Sequence, residues 1–211
     1  MLLRKNDWIL FQGDSITDCG RNRDDFEDMG TGYPYLISAF LLSSHPEMNF
    51  KFLNRGISGD RVKDLKNRWF EDCLSLNPNV LSILIGINDT WRRYDSNDPV
   101  SVEDFERDYR HILQKTLDEN PNIRLIICEP FLLTVFPDQE RWREDLDPKI
   151  QVVRKLSREF KAVFVPLDGL FAQASTIKGP SYWLYDGVHP TPAGHALIAR
   201  AWLKAVKMAD L

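Results

Sequence analysis

The run Val80-Leu81-Ser82-Ile83-Leu84-Ile85 constrains this chain more than any other segment. It has a single small polar member, so neither face of a strand is left for water. Strand side chains alternate between faces, and a strand apolar at nearly every position must be covered on both. That calls for helices on either side of a sheet, the usual outcome of parallel strands joined by helical crossovers. The rest of the chain supplies the parts. Apolar runs at Trp8–Phe11, Phe50–Leu53, Arg124–Cys128 and Ala162–Pro166 are rich in β-branched and aromatic residues and flanked by turn formers, which predicts further strands. Between the strands, apolar residues recur at helical spacing. Phe105, Tyr109, Ile112 and Thr116 form one stripe, widened by Leu113 and Leu117, and Ile150, Val153, Leu156 and Phe160 form another. Ser101, just ahead of Glu103 and Asp104, is positioned to cap the first of these. Thr191-Pro192 opens a last helix with Leu197, Ile198, Ala201, Trp202 and Ala205 on one side. The predicted fold is α/β, a parallel sheet with helices on both faces.

The 211 residues suit a single domain over 1–211, and 43% hydrophobic residues can fill its core. A net charge of -4 lacks the basic footprint of a nucleic-acid partner. The three cysteines, Cys19, Cys73 and Cys128, are odd in number and contain no C-x-x-C pair, which argues for a reducing compartment and against a zinc knuckle. No stretch approaches the ~20 apolar residues of a membrane span, and the first apolar run is too short for a signal peptide. The expectation is a cytoplasmic protein with no membrane partner. Its oligomeric state is left open, a homo-oligomer included.

Polar, glycine-rich signals follow three of the strands: Gly13-Asp14-Ser15, Asn54-Arg55-Gly56-Ile57-Ser58-Gly59-Asp60 and Gly86-Ile87-Asn88-Asp89. In a parallel sheet these ends share one edge, where open α/β sheets bind ligands. A fourth segment, Asp186-Gly187-Val188-His189, precedes the last helix and can return to that edge. Together they supply the roles of acyl transfer. Ser15 can attack, His189 can take its proton, and Asp186, three residues earlier, can orient the imidazole. The backbone N–H groups of Ser15 and Gly59 and the side-chain amide of Asn88 can form an oxyanion hole. The chemistry needs no cofactor and no metal. Asp14 and Asp89 read as turn or cap residues, and His195 as a packing or surface residue. Two charged stretches after strands, Asp18–Gly30 and Pro137–Asp147, read as solvated loops, or else as a rim around the substrate.

Taken in order, Gly13-Asp14-Ser15-Ile16, Gly59, Gly86-Ile87-Asn88-Asp89 and Asp186-Gly187-Val188-His189 resemble the blocks of the SGNH hydrolases, also called GDSL esterases and lipases. The resemblance spans the chain from first strand to last loop. It implies a three-layer α/β/α sandwich around a flavodoxin-like, parallel five-stranded sheet. It also implies Ser15 as nucleophile, Asp186 and His189 as its triad partners, and Gly59 and Asn88 as oxyanion donors. Ile16, where the family name has leucine, is an exchange of one apolar residue for another. The runs Gly13–Gly20 and Gly56–Gly59, and Ile87-Asn88-Asp89 followed by Trp91-Arg92-Arg93-Tyr94-Asp95, are similar to small bacterial acetyl xylan esterases of this family. That likeness implies a small-molecule ester substrate, an acetylated sugar such as a xylo-oligosaccharide. A departure is Tyr185, where tryptophan is usual. Trp91 and Tyr185 either pack under loops or meet the substrate. The alternative activities are a lysophospholipase or acyl-thioesterase with the same machinery, a sugar-binding pseudoenzyme, and a metal phosphoesterase built on Asp14, Asp60 and Asp89.

Overall fold

Five strands form, as Trp8–Gly13 (β1), Lys51–Asn54 (β2), Val80–Leu84 (β3), Arg124–Cys128 (β4) and Val163–Val165 (β5), in a computed structural model that describes residues 2–208. All pairings are parallel, in the order β2-β1-β3-β4-β5. This is a doubly wound order whose direction reverses between β1 and β3. The run that most constrained the sequence occupies the centre, and every residue of β3 is buried.

The helices are α1 (Ser15–Asp18), α2 (Tyr33–Ser44), α3 (Val62–Asn67), α4 (Ile87–Asp95), α5 (Val102–Glu119), α6 (Arg143–Glu159), α7 (Leu167–Ile177), α8 (Pro180–Trp183) and α9 (Pro192–Ala205). Strand alternation divides the core into two. Ile9, Phe11, Val80, Leu84, Ile126 and Cys128 pack with Tyr33, Ile37, Leu41, Phe171, Ile198 and Trp202 of α2, α7 and α9. Leu10, Leu81, Ile83, Leu125 and Ile127 pack with Val62, Leu65, Tyr109, Ile112, Val153 and Leu156 of α3, α5 and α6. The result is the three-layer α/β/α sandwich. Ser82, the one polar residue of the central strand, accepts a hydrogen bond from the indole N–H of the fully buried Trp202 at 3.0 Å. A buried indole N–H and a buried hydroxyl thereby satisfy each other.

The cap expected at Ser101 forms, and the last helix, which opens at Thr191-Pro192 as expected, is capped as well. The Ser101 hydroxyl accepts from the Asp104 N–H at 3.0 Å, and the Thr191 hydroxyl accepts from the Gly194 N–H at 3.2 Å with Pro192 in the first turn. Helix α2 carried no clear stripe in the sequence because Tyr35 and Leu42, on its outer side, are also apolar and half exposed. The stretch Pro137–Asp147 departs from the solvated-loop expectation. It forms a 3-10 turn over Pro137–Trp142 and the start of α6, and it buries Gln139, Trp142, Asp145 and Leu146. Its charges hid the buried members because they alternate with exposed ones.

Candidate active site

The carboxyl end of β1 turns sharply into α1. Asp14 makes the turn: its Oδ1 accepts from the Ile16 N–H at 3.0 Å, and its carbonyl accepts from Thr17 and Asp18. Ser15 is thereby the first helical residue, standing above the sheet edge. The loop after β2 is tied to the same place. Ile57 N–H donates to the Gly13 carbonyl at 3.1 Å, Asn54 Nδ2 donates to the Thr17 carbonyl at 2.7 Å, and Ser58 N–H donates to Asp18 Oδ2 at 3.0 Å. From the end of β3, Asn88 Nδ2 donates to the Asp60 carbonyl at 3.1 Å. Three strand ends thus meet at the switch point of the sheet, where this fold class binds ligands.

The fourth segment joins them. His189 Nε2 lies 2.9 Å from Ser15 Oγ, and Asp186 Oδ2 lies 2.6 Å from His189 Nδ1. Asp186 Oδ1 accepts from the backbone N–H groups of Val188 at 3.0 Å and His189 at 2.7 Å. One carboxylate therefore folds the turn and aims the ring. With Nδ1–H donated to Asp186, Nε2 is left as acceptor for the Ser15 hydroxyl. Gly187 holds φ +88 in this turn, and a Cβ there would fall 2.5 Å from both Gln139 Oε1 and the Leu133 carbonyl. Only glycine fits both demands.

The electrostatics match this arrangement. Burial pushes the Asp186 carboxyl up, but the bonds from the His189 ring and the two backbone N–H groups outweigh it and hold the group below the usual aspartate value. The hydrogen bond to Asp186 raises the His189 imidazole above its ordinary value, against partial burial, with the Asp186 and Asp14 charges adding to the rise. Asp14 is 1% exposed with no partner for Oδ2, and burial pushes its carboxyl up to about 7.

Gly59 has φ +89 and open space where a side chain would stand. Among the described residues, the backbone N–H groups of Ser15 and Gly59 donate to no protein carbonyl, and the Asn88 amide keeps a second N–H beyond the one given to Asp60. Trp91, on α4 just after Asn88, has its ring 5.6 Å from the His189 ring.

The side chains of the other candidates are engaged elsewhere. Tyr185 is 63% exposed and lines a hollow of about 450 Å³ with Cys19, Thr31, Leu36, Pro190 and His195, to which neither Ser15 nor His189 contributes. His195 Nδ1 accepts from the Tyr33 N–H at 3.1 Å, so its Nε2–H faces Cys19 Sγ at 3.3 Å, and burial pushes the ring down to about 4, with His189 adding to the fall. The three aspartates of the metal reading are engaged separately. Asp14 caps α1, Asp60 pairs with Arg68 at 2.8 Å, and Asp89 accepts from the Val62 N–H at the start of α3. Among the described residues no cluster of three or more His, Cys, Asp or Glu side chains is arranged to hold a metal ion. No described helix is long and apolar enough to cross a membrane.

Two residues beside the site had no signal in the sequence. Gln139 Nε2 donates to the Asp186 carbonyl at 2.6 Å. Trp142 packs on Trp91 with ring centroids 5.3 Å apart. Both come from the stretch whose charges marked it as solvated.

The chain is similar to known proteins over nearly its whole length. The family model of the GDSL-like Lipase/Acylhydrolase family matches residues 11–197. An acetylxylan esterase of Geobacillus stearothermophilus is 35% identical, over 98% of this chain and 96% of its own. Its crystal structure superimposes with a TM-score of 0.90 over the same shares. A GDSL-like protein of Parabacteroides merdae superimposes with a TM-score of 0.94 at 40% identity, covering 98% of each chain. An alpha/beta hydrolase enzyme from the metagenome of Lake Arreo gives 0.91 at 29% identity over the full length of both.

Proposed function

Because the chain belongs to the GDSL-like lipase/acylhydrolase family and is a carboxylic ester hydrolase, we propose that Ser15, His189 and Asp186 are its catalytic triad and that it removes acetyl groups from carbohydrates through an acyl-enzyme. The observation that carries this reading is the continuous chain from Ser15 Oγ to His189 Nε2 at 2.9 Å and from His189 Nδ1 to Asp186 at 2.6 Å.

In the first half-reaction Ser15 Oγ attacks the ester carbonyl while its proton passes to His189 Nε2. The oxyanion so formed accepts from the Ser15 and Gly59 N–H groups and the free N–H of Asn88, none of which has to be withdrawn from a protein partner first. Collapse breaks the bond to the sugar oxygen, which leaves with the proton from His189. In the second half-reaction water gives a proton to the same nitrogen, attacks the acyl-serine and releases acetic acid, restoring the Ser15 hydroxyl. Asp186 stays ionised throughout and stabilises the imidazolium.

The acetylated-sugar substrate is supported by the likeness to an acetylxylan esterase and by Trp91 beside the base, an aromatic face suited to a sugar ring. Residues 1–211 are read as one catalytic domain, most of which the family model spans. The unpaired thiols of Cys19, Cys73 and Cys128 support a reducing, cytoplasmic setting. A nitrophenyl ester series tests the acyl preference, and acetic acid release from acetylated xylo-oligosaccharides tests the acceptor. Steep loss of kcat/KM beyond short acyl chains, with release from the oligosaccharides, is the expected outcome. Retained activity on long-chain esters, with none on acetylated sugars, would overturn it in favour of a lysophospholipase or acyl-thioesterase.

A further inference from the structure

We propose that Gln139 is a positioning residue for the catalytic base, acting from the turn Pro137–Trp142 on the loop that carries Asp186 and His189. The inference rests on the reading of those two residues as orienting acid and base. Gln139 is 3% exposed although its neighbours in sequence are charged. Its amide divides between two segments. Nε2–H donates to the Asp186 carbonyl at 2.6 Å, and Oε1 accepts from the N–H groups of Val135 and Phe136, each at 3.0 Å. A backbone link repeats the attachment one residue on, where the Leu133 N–H donates to the Gly187 carbonyl at 3.1 Å.

The turn Asp186–His189 bonds internally to one carboxylate, that of Asp186. Those bonds set its shape and leave open where it stands relative to Ser15. Its flanks are paired, with the Tyr185 N–H donating to the His189 carbonyl at 2.8 Å and the Thr191 N–H to the Trp183 carbonyl at 2.9 Å, and two further supports act from outside. On one side are Gln139 and Leu133. On the other is Trp142, from the same turn as Gln139, which packs on Trp91, whose ring in turn lies 5.6 Å from the His189 ring. One short turn therefore holds the loop of the base at the Asp186 carbonyl and, by way of Trp91, supports the His189 ring. A misplacement of about 1 Å costs on the order of 10² in rate, so holding the Ser15–His189 distance matters more to turnover than to stability.

The test measures kcat, KM, pH profile and thermal melting for Gln139→Met and Gln139→Glu with p-nitrophenyl acetate. Ser15→Ala is run in parallel. If Ser15→Ala keeps its turnover, the catalytic reading fails whatever Gln139 does. Gln139→Met keeps the volume and removes the bonds. Its kcat is expected to fall about 10- to 100-fold in folded protein while KM stays within about threefold. Gln139→Glu keeps both acceptor bonds. When protonated it can still donate to the Asp186 carbonyl, and when ionised it opposes that oxygen with a charge. Its turnover relative to the parent enzyme is therefore expected to decline as pH rises through the carboxyl titration. A merely structural glutamine would lower the melting temperature and leave kcat per folded molecule and the pH profile unmoved. A folded Gln139→Met within twofold of the parent kcat overturns the proposal. Should that variant not fold, a Gln139→Glu profile parallel to the parent's does so.

Discussion

Replacing Asn88 by alanine separates the chemistry of this site from its architecture. The Asn88 amide has two N–H bonds to give. One goes to the Asp60 carbonyl at 3.1 Å, and the other, which has no partner among the described residues, is the one proposed to meet an oxyanion at Ser15. Loss of one preorganised donor from such a hole costs about 10²–10³ in turnover, or about 2.7–4 kcal/mol of transition-state stabilisation. The folded state loses the bond to Asp60 as well, worth about 0.5–1.5 kcal/mol for a neutral pair. A domain with about 5–15 kcal/mol of stability survives that loss, so the variant should fold. The Asn88–oxyanion bond exists only once the carbonyl has become tetrahedral, so the deficit should appear in kcat with KM little changed. Steady-state kinetics on p-nitrophenyl acetate, with a thermal melt as control, measures both quantities. Asn88→Asp keeps the size, lacks the donors and adds a negative charge, and should lose at least as much turnover. An Asn88→Ala enzyme within about threefold of the parent kcat, or one whose loss lies wholly in KM, would refute the oxyanion assignment.

The acid limb of kcat/KM should lie above the ordinary imidazole value of about 6.5. Asp186 raises the His189 pKa, and only the neutral ring can take the Ser15 proton, so activity disappears as pH falls through that raised value. Asp186→Asn should move the limb to lower pH and cut kcat by about 10⁴, and an unmoved limb in its pH–rate profile would count against the pairing. Lys149 is fully buried and holds Asp145, the Asp89 carbonyl at 3.2 Å and the Thr90 hydroxyl at 3.4 Å. Breaking a buried pair costs about 3–5 kcal/mol, and because Arg93 stays 3.1 Å from Asp145 the loss for Lys149→Met should lie near the lower figure, read from the urea midpoint.

Much of the fold was legible because its signals are periodic or local. A nearly all-apolar run such as β3 has one stable setting, between two helical layers, and caps such as Ser101 and Thr191 act within three residues of themselves. Helix α2 was harder to read because its outer side is also apolar. The types of residue at the site were legible for a related reason: the ends of parallel strands share an edge, so a serine, a glycine and an asparagine after three of them point to a common space. Gln139 and Trp142 were not legible. A glutamine that bonds a carbonyl 47 residues away carries no local mark, and the charges around it imitate a solvated surface.

The amino-acid sequence alone determined the strands, the layering and the chemical inventory, since burial of apolar periodicities and the directionality of parallel crossovers leave few other arrangements. Tertiary structure decided the distances: that Ser15 and His189, 174 positions apart, stand at hydrogen-bond range, that Trp91 faces the base, and that Tyr185 turns to a separate hollow. Loop placement depends on single long-range hydrogen bonds and steric fits, such as the glycine at 187 seated against Gln139, and such contacts have no period from which to be read.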